Sequence, residues 1–230
     1  MKIIKGSSYT QSGFTLIELI MAITISTIIV STIYSCLSHI MRTKVMVDNE
    51  REIGYIANSV IERLTRELQL IITDGEQKLL PPKNKTSDTY AKGVTVIGEK
   101  DSIVFLANDA GQYVHDGITH SGAIQITYRV ATDPEENKRY STPTYSLIRD
   151  ETPFSFNYEN AYKNTMTFPI TSRLIKIQFS YFDEENNTWK SQWTKDDKGQ
   201  PRLIRFNLQL LAPNEETRNF TTTVPIGNNL

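Results

Sequence analysis

The sequence predicts an α+β chain: a long N-terminal helix, transmembrane over its first half, packed by its second half on an antiparallel β-sheet head. Three observations predict it. Leu19 to Met41 contains no Asp, Glu, Lys or Arg, and at 1.5 Å per residue that run covers a hydrocarbon core of about 30 Å. Ile53, Ile56, Ala57, Val60, Leu64, Leu68 and Ile71 recur at spacings of three and four, which is the mark of a helix with one apolar face. Beyond Val94 the apolar period becomes two, with no βαβ rhythm, so helix and sheet are segregated along the chain.

The helix is expected to run from Phe14 to about Thr73, with Asp74-Gly75 as its stop and Gly54 as a soft point. Thr24, Ser26, Thr27, Ser31, Thr32, Ser35 and Ser38 interrupt the Ile-rich run, which suits packing against other helices better than contact with lipid alone. Lys2 and Lys5 precede the run and no acid lies among residues 1–17, so the positive-inside rule keeps the N-terminus cytoplasmic and sends the rest of the chain across the membrane. In the second half, Glu50, Arg51, Glu52, Glu62, Arg63, Arg66 and Glu67 are assigned to the polar face.

A loop over Gln77 to Gly93 holds Pro81 and Pro82. Val94 to Ile97 and Ser102 to Leu106 then read as a hairpin joined by Gly98-Glu99-Lys100-Asp101. Asn108 to Gly122 reads as loop. Ile124, Ile126, Tyr128 and Val130 alternate with polar residues, which gives a strand with one buried face. After a turn over Asp133 to Lys138, Thr144 to Arg149 pairs back. Glu151 to Pro169, with two prolines and scattered aromatics, reads as an irregular excursion. Strands at Ile175 to Tyr181, Ile204 to Leu210 and Phe220 to Val224 follow, and Trp189 and Trp193 flank a short strand between the first two.

The composition excludes several function classes. Among 230 residues the formal net charge is −1, which calls for no nucleic-acid or strongly charged partner. The single cysteine, Cys36, lies inside the apolar run, so there is no intramolecular disulfide, zinc pattern or Cys-His nucleophile. His115 and His120, five apart, match no zinc spacing. Asp183-Glu184-Glu185-Asn186-Asn187 and Asp196-Asp197-Lys198-Gly199 lack the order of a calcium loop and read as turns. No G-x-S-x-G and no phosphate-binding loop is present. Neither a metal nor a cofactor is expected, nor is enzymatic activity.

Glu18 stands out, because an intramembrane carboxylate costs about 2.5 to 3.5 kcal/mol on insertion scales and is retained for a function. Thr15 and Glu18 also have the spacing of a capping box. The stretch Ser12-Gly13-Phe14-Thr15-Leu16-Ile17-Glu18, after a short basic leader and before a membrane-length helix, resembles the class III signal of the type IV pilin and type II secretion pseudopilin superfamily. The resemblance implies a pilin-like fold and cleavage between Gly13 and Phe14 by a prepilin peptidase that also methylates the Phe14 amine. It further implies that Glu18 pairs with such an amine during assembly. It divides the chain into a cleaved leader (1–13), a transmembrane assembly half of the helix (14–41), an amphipathic half (42–75) and a periplasmic head (76–230). Ile53, Ile56, Val60, Leu64, Leu68 and Ile71 are then the helix-to-head packing positions.

The strand Ile175 to Phe182, the segment Trp189-Lys190-Ser191-Gln192-Trp193 and Pro201-Arg202 opening another strand are similar to the J-class minor pseudopilin of type II secretion. So are Tyr128-Arg129 and Leu147-Ile148-Arg149. That similarity implies a place at the tip of a periplasmic pseudopilus anchored in the inner membrane. The implied partners are I-, K- and H-class minor pseudopilins, the major pseudopilin, the prepilin peptidase, the inner-membrane assembly platform and secreted cargo. A minor type IV pilin that primes pilus assembly is the alternative. A lipoprotein acylated at Cys36 and a signal-anchored hydrolase fit less well, since Tyr34 is bulky where a lipoprotein signal wants a small residue.

Overall fold

The computed structural model describes residues 13–72, 79, 95–108, 114–115, 118–119, 123–132, 138, 140–153, 165–197 and 199–226. They fall into two compact units that divide between Asp48 and Asn49.

One helix, α1 (Leu16–Gln69), begins in the first unit and continues into the second. It begins two residues later than expected because Thr15 serves as its cap. In the first unit every large apolar side chain from Phe14 to Val47 is exposed, and the helix is long and apolar enough to cross a membrane. Three of its threonine hydroxyls are satisfied within the helix. Thr24 Oγ1 donates to the Met21 carbonyl at 2.9 Å, Thr27 Oγ1 to Thr24 at 2.8 Å and Thr32 Oγ1 to Ile28 at 2.8 Å. Such back-bonding removes the cost of placing a hydroxyl in an apolar medium.

In the second unit the same helix turns its apolar face inward. Ile53, Ala57, Val60, Leu64 and Leu68 are buried against the sheet's Phe105, Tyr128, Phe179, Phe206 and Leu208, with Ile56 half-buried at the margin. Full burial of a Leu such as Leu64 contributes about 1.5 to 3 kcal/mol. The helix ends at Gln69 rather than near Thr73. Leu70 to Ile72 leave it to pair with the sheet, where Asn108 N–H donates to the Leu70 carbonyl and Ile72 N–H to that of Leu106, both at 3.0 Å. Ile71 is buried, but in a bridge to Ala107 instead of on the helix. Asp74-Gly75 lies outside the described residues.

The head sheet comprises β1 (Val96–Gly98), β2 (Ile103–Asn108), β5 (Ala123–Thr132), β6 (Tyr145–Pro153), β7 (Met166–Asp183), β9 (Leu203–Leu211) and β10 (Thr217–Pro225), hydrogen-bonded in that order. β8 (Thr188–Lys190) pairs back on β7. Each pairing is antiparallel. The period-two segments thus form the sheet, and the architecture is the α+β arrangement expected.

Several boundaries differ. Gly98 belongs to β1, not to the turn: it pairs with Ile103 and exchanges two 2.8 Å hydrogen bonds with Trp193, and the Tyr181 ring occupies the space a Cβ would need. The turn is closed instead by Glu99 N–H on the Ser102 carbonyl at 2.8 Å. The presumed loop after β2 contains a two-stranded hairpin, β3 (Val114–His115) and β4 (Ile118–Thr119).

Both ends of the expected excursion are strand, since β6 runs through Pro153 and β7 starts at Met166; residues 154–164 lie outside the described residues. Pro169 is accommodated opposite Ile148, beside two register shifts in the β6–β7 ladder, which is where a strand tolerates a missing donor. β7 is long because it serves two neighbours in succession, β6 along Met166 to Leu174 and β9 along Leu174 to Phe182. Trp189 lies within β8 rather than beside it.

Candidate functional site: the helix start and the head motifs

Gly13 precedes the helix in open space, with no atom within 4 Å of where its Cβ would be. Phe14 is 92 % exposed. Thr15 and Glu18 then lock the helix start. Thr15 N–H and Oγ1 both donate to Glu18 Oε2 at 2.9 Å, and Glu18 N–H donates to Thr15 Oγ1 at 3.4 Å. This is a reciprocal capping box, which satisfies backbone donors that would otherwise be orphaned. The carboxylate is also held at the positive end of the helix dipole. One side chain therefore combines a capping role with a charge at the edge of an apolar helix.

A family model matches residues 9–34, a window that contains Gly13, Phe14 and Glu18. The chain carries the prokaryotic N-terminal methylation motif. The motif segment thus unites an accessible Gly-Phe junction, a capped helix start and the exposed apolar face. Among solved structures, a chain of the crystal structure of the GspK-GspI-GspJ complex from the type 2 secretion system of enterotoxigenic Escherichia coli is similar to this one. It has 13 % sequence identity and a TM-score of 0.42, and the match covers 76 % of this chain and 98 % of that one. No curated protein matches.

The head motifs occupy defined places. Tyr128 on β5 lies directly across from Arg149 on β6, and both side chains turn to one carboxylate, that of Glu67 on α1. Tyr128 Oη donates to Glu67 Oε2 at 2.7 Å, Arg149 Nε to Glu67 Oε1 at 3.0 Å, and Arg149 Nη1 to Glu151 Oε2 at 2.6 Å. Arg149, Glu67 and Glu151 are at most 1 % exposed. Burial, reinforced by the Glu67 charge, pushes the Tyr128 phenol well above 10, so it remains a neutral donor. Burial opposes the Arg149 charge, but Glu67 and Glu151 outweigh it and raise its pKa. Glu67 is therefore not on the polar helix face to which its charge assigned it. It is the helix's anchor in the head.

The second constellation is split. Trp193 is buried and donates Nε1–H to the Gly199 carbonyl at 3.4 Å. Trp189 is 36 % exposed, tilted against Phe182 with ring centroids 5.2 Å apart. Pro201 is buried, and Arg202 is exposed with its N–H on the Phe182 carbonyl at 3.2 Å. Lys190 joins the two acidic turns, its Nζ lying 2.6 Å from both Asp183 Oδ2 and Asp197 Oδ1. These contacts account for the carboxylates as turn caps. Among the described residues no cluster of three His, Cys, Asp or Glu side chains could hold a metal ion. His115 lies on β3, and His120 is outside the described residues. Cys36 is exposed in the middle of α1.

The Glu67 network is the feature that sequence reasoning missed. Its one legible trace was the pair of Tyr-Arg and Leu-x-Arg strand motifs.

Proposed function

We propose that the chain is a J-class minor pseudopilin of type II protein secretion, a structural subunit of the tip of a periplasmic pseudopilus that drives folded proteins through the outer membrane. The methylation motif at residues 9–34 carries this reading. A prepilin peptidase removes residues 1–13 on the cytoplasmic side and methylates the Phe14 amine. Residues 14–41 hold the subunit in the inner membrane until assembly, residues 42–75 carry it onto the head, and residues 76–230 form the periplasmic head. The exposed apolar face of Phe14 to Val47 is then covered first by lipid and later by neighbouring subunits.

Glu18 has two tasks on this reading. It caps the helix, and it offers a carboxylate to the amine of its own or a docked Phe14, an exchange that neutralises both charges where water is scarce. The class assignment is supported by the Tyr128–Arg149 cross-strand pair and by Trp189, Trp193, Pro201 and Arg202. The partners are the I-, K- and H-class minor pseudopilins and the major pseudopilin, with the inner-membrane platform below and cargo at the tip.

Deletion of the chain from its host is the test. The expected result is loss of protein export, with cargo retained behind the outer membrane and surface pili intact. Loss of pili with export intact would instead support a minor type IV pilin that primes pilus assembly.

A further inference from the structure

On the outer face of the head, where β7, β8, β9 and β10 meet, is a half-open hollow of about 350 Å³ whose lining includes Lys100, Ser180, Ser191, Arg205 and Asn207 and no carboxylate. Two features show that it is a defined cationic site. The Arg205 guanidinium is fixed: it lies 3.9 Å from the centroid of the Trp189 ring, and its Nε donates to Thr223 Oγ1 at 3.4 Å. Among the described residues it has no acidic partner, whereas Arg129, Arg149, Arg173, Arg202 and Arg218 are each paired with one. Lys100 is held at the rim because the β1–β2 turn is tied to β7 by Phe179 N–H on the Lys100 carbonyl at 2.8 Å.

One polar atom beside the cations is also uncommitted. Asn207 Nδ2 donates to Thr221 Oγ1 at 3.1 Å, while its buried Oδ1 has no hydrogen-bond partner. With the amide turned over, Oδ1 accepts from the Thr221 hydroxyl and the N–H₂ takes the oxygen's place, a donor with no partner among the described residues. In that orientation Lys100, Arg205, Asn207, Ser180 and Ser191 can all donate into one space. Glu99 and Asp101 flank Lys100 but line the adjacent hollow with Lys176, which narrows the positive field to the Arg205 side.

We propose that this hollow is a docking site for an acidic segment of a partner protein, with a Glu or Asp carboxylate seated on Arg205 and the surrounding hydroxyl and amide donors. A guanidinium held flat by ring stacking keeps its fork free for bidentate contact with a planar carboxylate. The site lies wholly on the head and does not depend on the role of the N-terminal motif.

The test uses the full chain in neutral detergent micelles and a fluorescein-labelled hexaglutamate peptide, read by anisotropy at low salt. Saturable binding that weakens with added salt is expected, with hexaglutamine inert. Arg205→Gln should weaken binding at least tenfold and Asn207→Asp, which places a carboxylate in the hollow, should abolish it. Lys176→Gln, outside the hollow, should change it less than twofold. Unchanged melting of the variants shows that the loss is local. If either variant fails to fold, displacement of peptide from the wild-type chain decides. Competition by free glutamate peptide but not by equimolar inorganic phosphate supports the proposal. Displacement by phosphate equal to that by peptide, wild-type binding in Arg205→Gln, or no saturable binding overturns it.

Discussion

The two units of this chain treat the same chemistry in opposite ways. Between Phe14 and Val47, large apolar side chains are exposed and the threonine hydroxyls are turned back onto their own helix. Between Asn49 and Ile226, the core side chains are apolar, and three carboxylates (Glu67, Glu151 and Asp183) and the Arg149 guanidinium are buried with them. The head is complete in itself: its buried charges have partners within the chain, and α1 is fixed to the sheet by both oil and ions. The first unit is complete only when something apolar covers it. A mutation in the head should therefore register as lost stability, and a mutation in the first unit as lost association.

Arg149→Ala should have the largest effect. It leaves Glu67 and Glu151 buried together without their cation, and breaking a buried pair from one side costs about 3 to 5 kcal/mol. Urea unfolding followed by Trp fluorescence measures it, and a loss under about 1 kcal/mol would mean that the network is not the anchor described here. Gly98→Ala comes next. The added methyl meets the Tyr181 ring, and overpacking of this kind costs about 1 to 3 kcal/mol, readable as a lower melting temperature of the head.

Acid should act on the β7–β8 turn. The Lys190 ammonium, with help from Asn186, pulls the Asp183 carboxyl from 3.8 down to about 2. A depressed folded-state pKa contributes stability that is present above pH 4 and is lost as pH falls from about 4 to 2. Amide protection at Thr188 to Lys190, measured relative to the intrinsic exchange rate at each pH, should therefore fall in that window, and Asp183→Asn should reduce the pH dependence to the share that Asp197 contributes.

The smallest effect on stability should come from Glu18, whose substitution by Ala or Gln should move head unfolding by less than about 0.5 kcal/mol. Association distinguishes the two variants. Glu18→Gln keeps the hydrogen-bonding geometry of a capping box but not the charge. If the carboxylate pairs with a neighbouring amine, both variants insert and are processed yet enter filaments poorly, as co-purification with the I- and K-class pseudopilins proposed as partners would show. If Glu18 acts through capping alone, Gln behaves as wild type and Ala does not.

The sequence made the contrast between the units visible because it rests on local pattern. An uncharged run and a three-four periodicity are properties of consecutive residues, and so is the alternation that placed β5, the second half of β7 and β9. What stayed hidden depended on distant partners. Glu67 looked like a solvated helix residue because its burial is decided by Arg149, 82 residues away. Ile71 fitted the helical period while its backbone paired with Ala107. Pro169 argued against a strand, yet the irregular β6–β7 ladder tolerates it. Gly98 read as a turn residue because nothing local announces the Tyr181 ring that excludes any side chain there. At the helix start the Gly13-Phe14-Thr15-Leu16-Ile17-Glu18 pattern was legible in full, since every contact in the Thr15–Glu18 box is local.

The central claim is that the first unit is made to be exposed at a new N-terminus and then covered. Intact-mass and N-terminal analysis of the protein extracted from membranes of a host with a prepilin peptidase tests it most directly. The account predicts a chain that starts at Phe14 with one methyl group on its amine. A chain that starts at Met1, or at an acylated Cys36, would contradict it.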